Sequence, residues 1–279
     1  MGRKVLALSL VLVMALSFAG CEEPSAEEIV ASVIESLDDV RTYQFDMDMT
    51  MDMAGEFEGE AMEVVMTMDG TGAIDVENSQ MMMDMDITMT MPEELDVEMG
   101  MEMYLIGDTM YMMMEMPTMG SMWMKSEMPA GSWAEMNQVE SQIALLEAAQ
   151  VEYAGSEKVD GVNCYVIQYT PDMEQLWDLF SQQAGLGMGG VPDVEEEFLQ
   201  DLISSFSVKQ WFAKDTYFLV KAEIGMVMEL TPEAMGFPEE EGVLNMDIAM
   251  SMLTHDYNQP VSIILPPEAE TAEEMPWQY

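Results

Sequence analysis

The feature that constrains this chain most is an alternation of methionine with acidic and hydroxyl residues in its N-terminal half. Over residues 43–53 every second residue is apolar, and the residues between them are Gln, Asp or Thr. Successive side chains of a β-strand point to opposite faces, so this pattern predicts a strand with one apolar and one polar face. The same alternation recurs over residues 81–91 and 95–103. We therefore expect an antiparallel sheet that is buried on one face.

Weaker alternation predicts seven more strands, and a helical pattern predicts four helices. The strands cover residues 62–68, 110–116, 122–124, 162–169, 208–214, 218–230 and 244–254. The first helix opens at a capping box of Ser25 and Glu28, and Ile29, Val33 and Leu37 share one of its faces. The other helices are expected at residues 135–149, 173–183 and 194–204, with a glycine-rich loop at 185–192. This order predicts an α+β fold, an antiparallel meander with helices against one face.

The first residues have the features of an export signal. Arg3 and Lys4 precede an uncharged apolar run at residues 5–18, which is shorter than the roughly 20 residues of a membrane-spanning helix. Residues 16–21 resemble a bacterial lipobox, and that resemblance implies a lipid on Cys21; an ordinary secretory signal with an incidental cysteine is the alternative. We therefore expect a signal peptide at 1–20, a lipidated tether at 21–25 and one domain at 26–279. The protein would be exported and anchored to a membrane surface.

The composition argues against the common forms of catalysis and against nucleic-acid binding. Cys164 lies in an apolar stretch, which favours a buried thiol over a nucleophile. His255 is the only histidine, so a His-based zinc site, a Ser-His-Asp triad and a Cys-His pair are not expected. The formal net charge of −46 repels nucleic acid. We predict a protein that is not an enzyme and has no cofactor.

Two metal hypotheses arise from the alternating segments. The acidic residues from Asp46 to Asp52 occupy every second position, as in a calcium loop, but Met51 and Phe57 stand where that loop has its glycine and closing glutamate. Most of the 37 methionines lie between Met47 and Met128, and thioethers are soft ligands for Cu(I). Because alternation turns most of these sulfurs inward, the sequence favours core residues over a copper site. We predict no bound metal, with Cu(I) binding as the alternative.

A methionine-rich face also predicts a surface that adapts to apolar ligands. Methionine is flexible and polarisable, so a sheet face built from it makes a deformable groove; ordinary packing beneath helices is the alternative. The residues predicted to line this hydrophobic groove are Tyr43, Phe45, Met47, Met49, Met51, Met83, Met85, Met99, Met101 and Met103.

The order of elements resembles the LolA-like and LppX/LprG-like lipoproteins. The opening helix from Ala26 that leads to Tyr43, the segment 159–165, the paired segment 210–221 with a turn at 214–216, and the closing segment 256–267 carry the likeness. The resemblance implies a curved antiparallel half-barrel that wraps helices and holds lipid, with 256–267 as a terminal strand. Such families also include sensor domains, so fold alone does not fix function.

These observations predict a membrane-anchored, non-enzymatic lipoprotein that binds an acyl chain or another hydrophobic ligand. A Cu(I)-binding lipoprotein, and a sensor or interaction module without a ligand, are the alternatives. The expected partners are a lipid or other hydrophobic ligand and a membrane reached through the N-terminal lipid anchor, with no nucleic acid; the sequence does not identify a protein partner.

Overall fold

A computed structural model describes residues 23–57, 60–91, 96–117, 120–128, 133, 150–170, 203–230 and 242–274. These residues form one α-helix, twelve strands and a short 3₁₀ helix. The helix is α1 (Ala26–Leu37), and the strands are β1 (Thr42–Phe57), β2 (Glu60–Asp75), β3 (Gln80–Thr90), β4 (Val97–Ile106), β5 (Thr109–Met116), β6 (Gly120–Glu127), β7 (Gln150–Val159), β8 (Val162–Thr170), β9 (Ile203–Ala213), β10 (Leu219–Leu230), β11 (Gly242–His255) and β12 (Glu273–Glu274). The 3₁₀ helix covers Pro267–Thr271.

Helix α1 begins at the predicted capping box. The Ser25 hydroxyl accepts a hydrogen bond from the Glu28 backbone N–H at 3.2 Å, and the Glu28 carboxylate accepts one from the Ser25 N–H at 2.9 Å. Two backbone donors that the first turn would leave unpaired are thereby satisfied. Ile29, Val30 and Val33 are buried, as the helical pattern predicts.

All twelve strands belong to one open, curved sheet. Their order is β12-β6-β5-β4-β3-β2-β1-β11-β10-β9-β8-β7, and every neighbouring pair is antiparallel except β12 and β6. Strands β6 and β7 follow one another in the chain, but β7 lies at one end of this order and β6 lies next to β12 at the other. The sheet is thus an extended meander in which β11 returns to pair with β1.

The strand register assigns each side chain to one of two faces. Residues opposite one another in a ladder share a face, so Met49, Met68 and Met250 lie together. Val208 and Ile224 continue this row into β9 and β10, and Val208 packs in one core cluster with Ile29 and Val33 of α1. We call the face that carries α1 and this row the inner face, and the opposite one the outer face.

The inner face divides into two parts. Over β7–β10, the helix-covered half, α1 packs on Ile167, Tyr169, Val208 and Phe212, which are all buried. Over β1–β6 and β11, the methionine half, the inner face consists mainly of half-buried methionines, while the outer face carries exposed carboxylates such as Asp48. The predicted alternation is therefore observed in the methionine half.

A second, smaller core lies on the outer face of the helix-covered half. It contains Cys164, Val166, Trp211, Ala213 and Val220. The Cys164 side chain is fully buried, as predicted, and burial raises the pKa of its thiol. The Trp211 indole N–H donates to the Glu157 carboxylate at 2.8 Å. This thiol packs as a small apolar group and is poorly suited to act as a nucleophile.

The structure differs from the sequence prediction at β7 and at the start of β9. Strand β7 is missing from the prediction because Gly155, with φ of 112°, sits at an irregularity in its pairing and breaks the alternation. Ile203 and Ser204 begin β9, so the helix predicted at 194–204 is wrong at its end. Residues 194–202, the predicted helices at 135–149 and 173–183, and the predicted loop at 185–192 lie outside the described residues.

The segment 256–266 is not the terminal strand that the resemblance implies. Asp256 and Asn258 have φ of 51° and 58°, and Pro260 and Pro266 lack the N–H that a ladder needs. The segment instead packs through Tyr257, whose ring stacks on Tyr43 at 5.6 Å between centroids. It leads to the 3₁₀ helix beside β6, and β12 then pairs with that edge strand.

Candidate functional site

The structure places all ten predicted groove residues on the inner face. The register joins Phe45, Met83 and Met103 in one row across β1–β4, with Gly72 of β2 between the first two. The neighbouring rows carry the other predicted residues, namely Tyr43, Met47, Met49, Met51, Met85, Met99 and Met101. The sequence pattern thus predicted the face of each residue, and strand pairing brings them together.

Only part of this set lines a cavity. A cavity of about 90 Å³ on the inner face is bounded by Tyr43, Phe45, Met47 and Met83. Its other lining residues, which sequence reasoning did not select, are Ile74, Met81, Leu105, Trp133, Met250 and Met252. Met81 belongs to the alternating segment of β3, so its face was predictable. The contributions of Met250 and Met252 depend on the pairing of β11 with β1.

A local feature of β2 shapes the floor of the cavity. Gly72 lies opposite Phe45, and a Cβ added at Gly72 would overlap the Phe45 ring. The ring therefore lies across the glycine, close to the sheet. Gly70 plays a similar part, since an added Cβ there would lie 3.1 Å from Cγ of Met85. The two glycines let large side chains fold down and leave room above them.

The lining of the cavity is apolar and uncharged. Its polar groups are the Tyr43 hydroxyl and the Trp133 indole. Burial raises the pKa of Tyr43 to about 12, so this phenol stays neutral over the physiological range. Such a lining suits the hydrocarbon part of a ligand and gives no opposite charge to an ionised head group.

A larger concavity of about 520 Å³ lies on the outer face, across β1, β11, β10, β9 and β8. Thr50, Ala249, Gly225 and Ser207 form its small-residue floor, and charged residues such as Glu223 flank them. It is wide and polar, so water solvates it well and burial of an apolar ligand there would gain little. We therefore assign the candidate site to the smaller inner cavity.

The inner face of the helix-covered half holds a buried polar group. The carboxamide oxygen of Gln210 is buried and has no hydrogen-bond partner among the described residues. Gln210 lies opposite Ile167 and Ala222, and Ala222 lies opposite Met252 of the cavity. An unpaired buried acceptor is costly, so a donor on a ligand that extends along this row would be stabilising.

Two features are absent from the part of the chain that the structure describes. Across the described residues, no three His, Cys, Asp or Glu side chains are grouped to hold a metal ion. His255 lies between Asp46 and Asp256, at 3.5 and 3.0 Å. No helix of the described ranges is long and apolar enough to cross a membrane. Cys21 and the predicted signal peptide lie outside these ranges.

The described residues define a class of protein: an open, mostly antiparallel sheet with a helix and an apolar cavity on its inner face. The chain belongs to the family DUF6612, described as a family of unknown function, whose model matches residues 25–274. No curated protein sequence matches the chain.

Solved structures show the resemblance that the sequence predicted. The chain is similar to lipoprotein LppX of Mycobacterium tuberculosis, at 14% identity and a TM-score of 0.40 over 86% of this chain and 100% of that one. It is similar to LprF of Mycobacterium bovis, at 14% identity and a TM-score of 0.42 over 86% and 96%. It is also similar to a Vibrio parahaemolyticus protein described as an outer membrane lipoprotein-sorting domain, at 10% identity and a TM-score of 0.22 over 85% and 95%.

Proposed function

We propose that this protein is a non-enzymatic, exported lipoprotein that binds an apolar ligand, such as an acyl chain, on the inner face of the methionine half. The observation that carries the proposal is the uncharged cavity bounded by Tyr43, Phe45, Met47 and Met83, on a face whose methionines are only half buried. If these methionines served only to pack a core, they would be covered as completely as the residues under α1 are.

The size of the cavity constrains how a ligand enters. Pockets for drug-sized ligands have volumes of about 300–1,000 Å³, whereas this one has about 90 Å³. A long acyl chain therefore requires methionine side chains to change rotamer and open the groove further. Methionine suits this role because its three rotatable bonds adapt to different apolar shapes.

Ligand binding is tested by filling the cavity. Met83 lines it, whereas Met101 lies on the same face and does not. We expect Met83→Trp to weaken binding of a fluorescent acyl probe by about tenfold, because the indole occupies ligand volume, and Met101→Trp to have a smaller effect. Probe titration and thermal midpoints are measured for both variants. A wild-type chain that binds neither the acyl probe nor a neutral long-chain ester would disprove the proposal. Mass spectrometry of a solvent extract of the purified protein identifies any ligand that copurifies.

We further propose that Cys21 carries the lipid anchor. The support is its position after the apolar run and the small residues Ala19 and Gly20. Cys21→Ser should move the protein from the detergent phase to the aqueous phase, because the lipid supplies the membrane affinity. Cys164→Ser, the control, should leave partitioning unchanged, since that thiol is buried in the outer-face core. Equal partitioning of Cys21→Ser and the wild-type chain would contradict a lipid on this cysteine.

A further inference from the structure

We infer that a second site, for a soft monovalent cation, lies on the inner face near the β6 edge of the sheet. Strands β3–β6 carry methionine at eight adjoining inner-face positions. These positions, the methionine block, are Met83, Met103, Met112 and Met124 in one row and Met85, Met101, Met114 and Met122 in the next. The site goes beyond the proposed function, since its occupant is a metal ion.

Strand pairing brings these thioethers close together, which the sequence alone could not show. Directly opposite residues of an antiparallel pair have Cβ atoms about 4.5–5.5 Å apart, and successive residues on one face of a strand are about 7 Å apart. Each methionine has three rotatable bonds beyond its Cα, so three sulfurs from neighbouring strands can converge on one ion. Thioethers prefer soft ions such as Cu(I) over hard ions such as Ca²⁺ and Mg²⁺.

The exposure of the block also distinguishes it from an ordinary core. Of its eight side chains, only Met85 is buried, and Met122 is 46% exposed. The apolar residues beneath α1, by contrast, are buried. The sequence favours core residues because alternation should turn the sulfurs inward; the structure shows that they point inward and still remain accessible to an ion from solvent.

The charge around the block favours a cation. Strand β12 places Glu273 opposite Met124, and Asp84 and Glu102 form an opposed pair on the outer face of the same strands. The formal net charge of the chain is −46. A monovalent cation gains from this field, whereas the head group of an anionic ligand is repelled. The structure thus points to Cu(I), for which Ag(I) is a redox-inert probe.

The site is tested with the full-length chain in a Cys21→Ser background, using Cu(I) and a chromogenic Cu(I) chelator. The block variant combines Met112→Leu, Met114→Leu and Met124→Leu, which removes three adjoining thioethers of β5 and β6, changes no predicted groove residue and keeps the face apolar. Its matched control combines Met53→Leu, Met228→Leu and Met246→Leu, which removes three adjoining inner-face thioethers on β1, β10 and β11, outside the block. Leucine replaces methionine at small cost in packing.

We expect the parent to take Cu(I) from the chelator, the block variant to lose at least about tenfold in affinity, and the control to stay within about twofold of the parent. Ag(I) titration should give the same order, and Cys164→Ala should bind as the parent does. Thermal midpoints establish that the variants are folded; if the block variant is not, Met112→Leu and Met124→Leu alone should each lower the affinity. Failure of the parent to compete with the chelator, or an equal loss in block and control variants, would overturn the inference.

The two proposals fail separately. The block variant retains an apolar inner face, so it should still bind the acyl probe if the proposed function is correct. Cu(I) binding without acyl binding would disprove only the ligand-binding proposal, and acyl binding without Cu(I) binding would disprove only the metal site.

Discussion

Strands β7–β10 and strands β1–β6 belong to one sheet, yet their inner faces are built from different side chains. In the helix-covered half, Ile167 and Tyr169 contact the buried residues of α1 and are themselves buried. In the methionine half, residues such as Met49 and Met68 face the same side and remain half exposed. The first half has the shape-specific packing of a core, and the second has the flexible side chains of an adaptable surface. Under the proposed function, stability and ligand binding are therefore concentrated in different parts of one sheet.

The largest effect on stability is expected when a buried side chain of the helix-covered half is shortened. Ile167 is fully buried, so Ile167→Ala should lower the free energy of unfolding by about 2–5 kcal/mol through lost transfer energy and a residual cavity. Met49→Ala removes a half-exposed side chain and should cost about 1 kcal/mol. Urea unfolding of both variants measures the difference. Equal losses would mean that the methionine half is as tightly packed as the region under α1.

The same two regions show how far the sequence could predict the fold. The methionine alternation predicts strands β1, β3 and β4 because acidic residues mark one face clearly. Strand β7 carries Val151 and Tyr153 inward, but Gly155 disrupts its period. The Asp160–Gly161 pair indicates β7 more clearly than the alternation does. Both residues have positive φ, as a two-residue hairpin connecting β7 to β8 requires.

The candidate site was less predictable than the faces of its strands. Period-2 alternation tells which way Met47 points, but it does not tell which strand lies beside β1. The pairing of β1 with β11, some 200 residues later in the chain, brings Met250 and Met252 to the cavity. Long-range pairing also creates the methionine block, whose rows join four strands. Local patterns contain no information of this kind.

The ionisation of Tyr43 at high pH should change the stability of the fold by an intermediate amount. Burial raises the pKa of Tyr43 from 10.0 to about 12, so between these values the folded chain keeps a phenol proton that the unfolded chain releases. The resulting stability is complete below pH 10 and is lost as the pH rises through about 12. Tyr43→Phe should therefore make the fall of the urea midpoint across this range less steep. Tyr169, in the helix-covered half, also has a pKa raised by burial, so part of the fall should persist in this variant.

The smallest expected effect concerns the outer face of the methionine half. Asp69 of β2 lies directly between Asp48 of β1 and Asp86 of β3, and all three side chains are exposed. Like charges directly opposite one another on neighbouring strands destabilise a sheet. Asp69→Asn should therefore raise the thermal midpoint by about 1–2 °C at low ionic strength.

The matched control for this change is Glu152→Gln in the helix-covered half. Glu152 of β7 lies opposite Gln168, so its neutralisation relieves no opposed charge and should leave the midpoint unchanged. In about 1 M salt the Debye length falls to about 3 Å, and the advantage of Asp69→Asn should shrink accordingly. Differential scanning calorimetry of both variants at low and high salt measures these differences. A gain that is the same at both salt concentrations, or is shared by Glu152→Gln, would show that charge repulsion along the Asp48–Asp69–Asp86 row does not destabilise the methionine half.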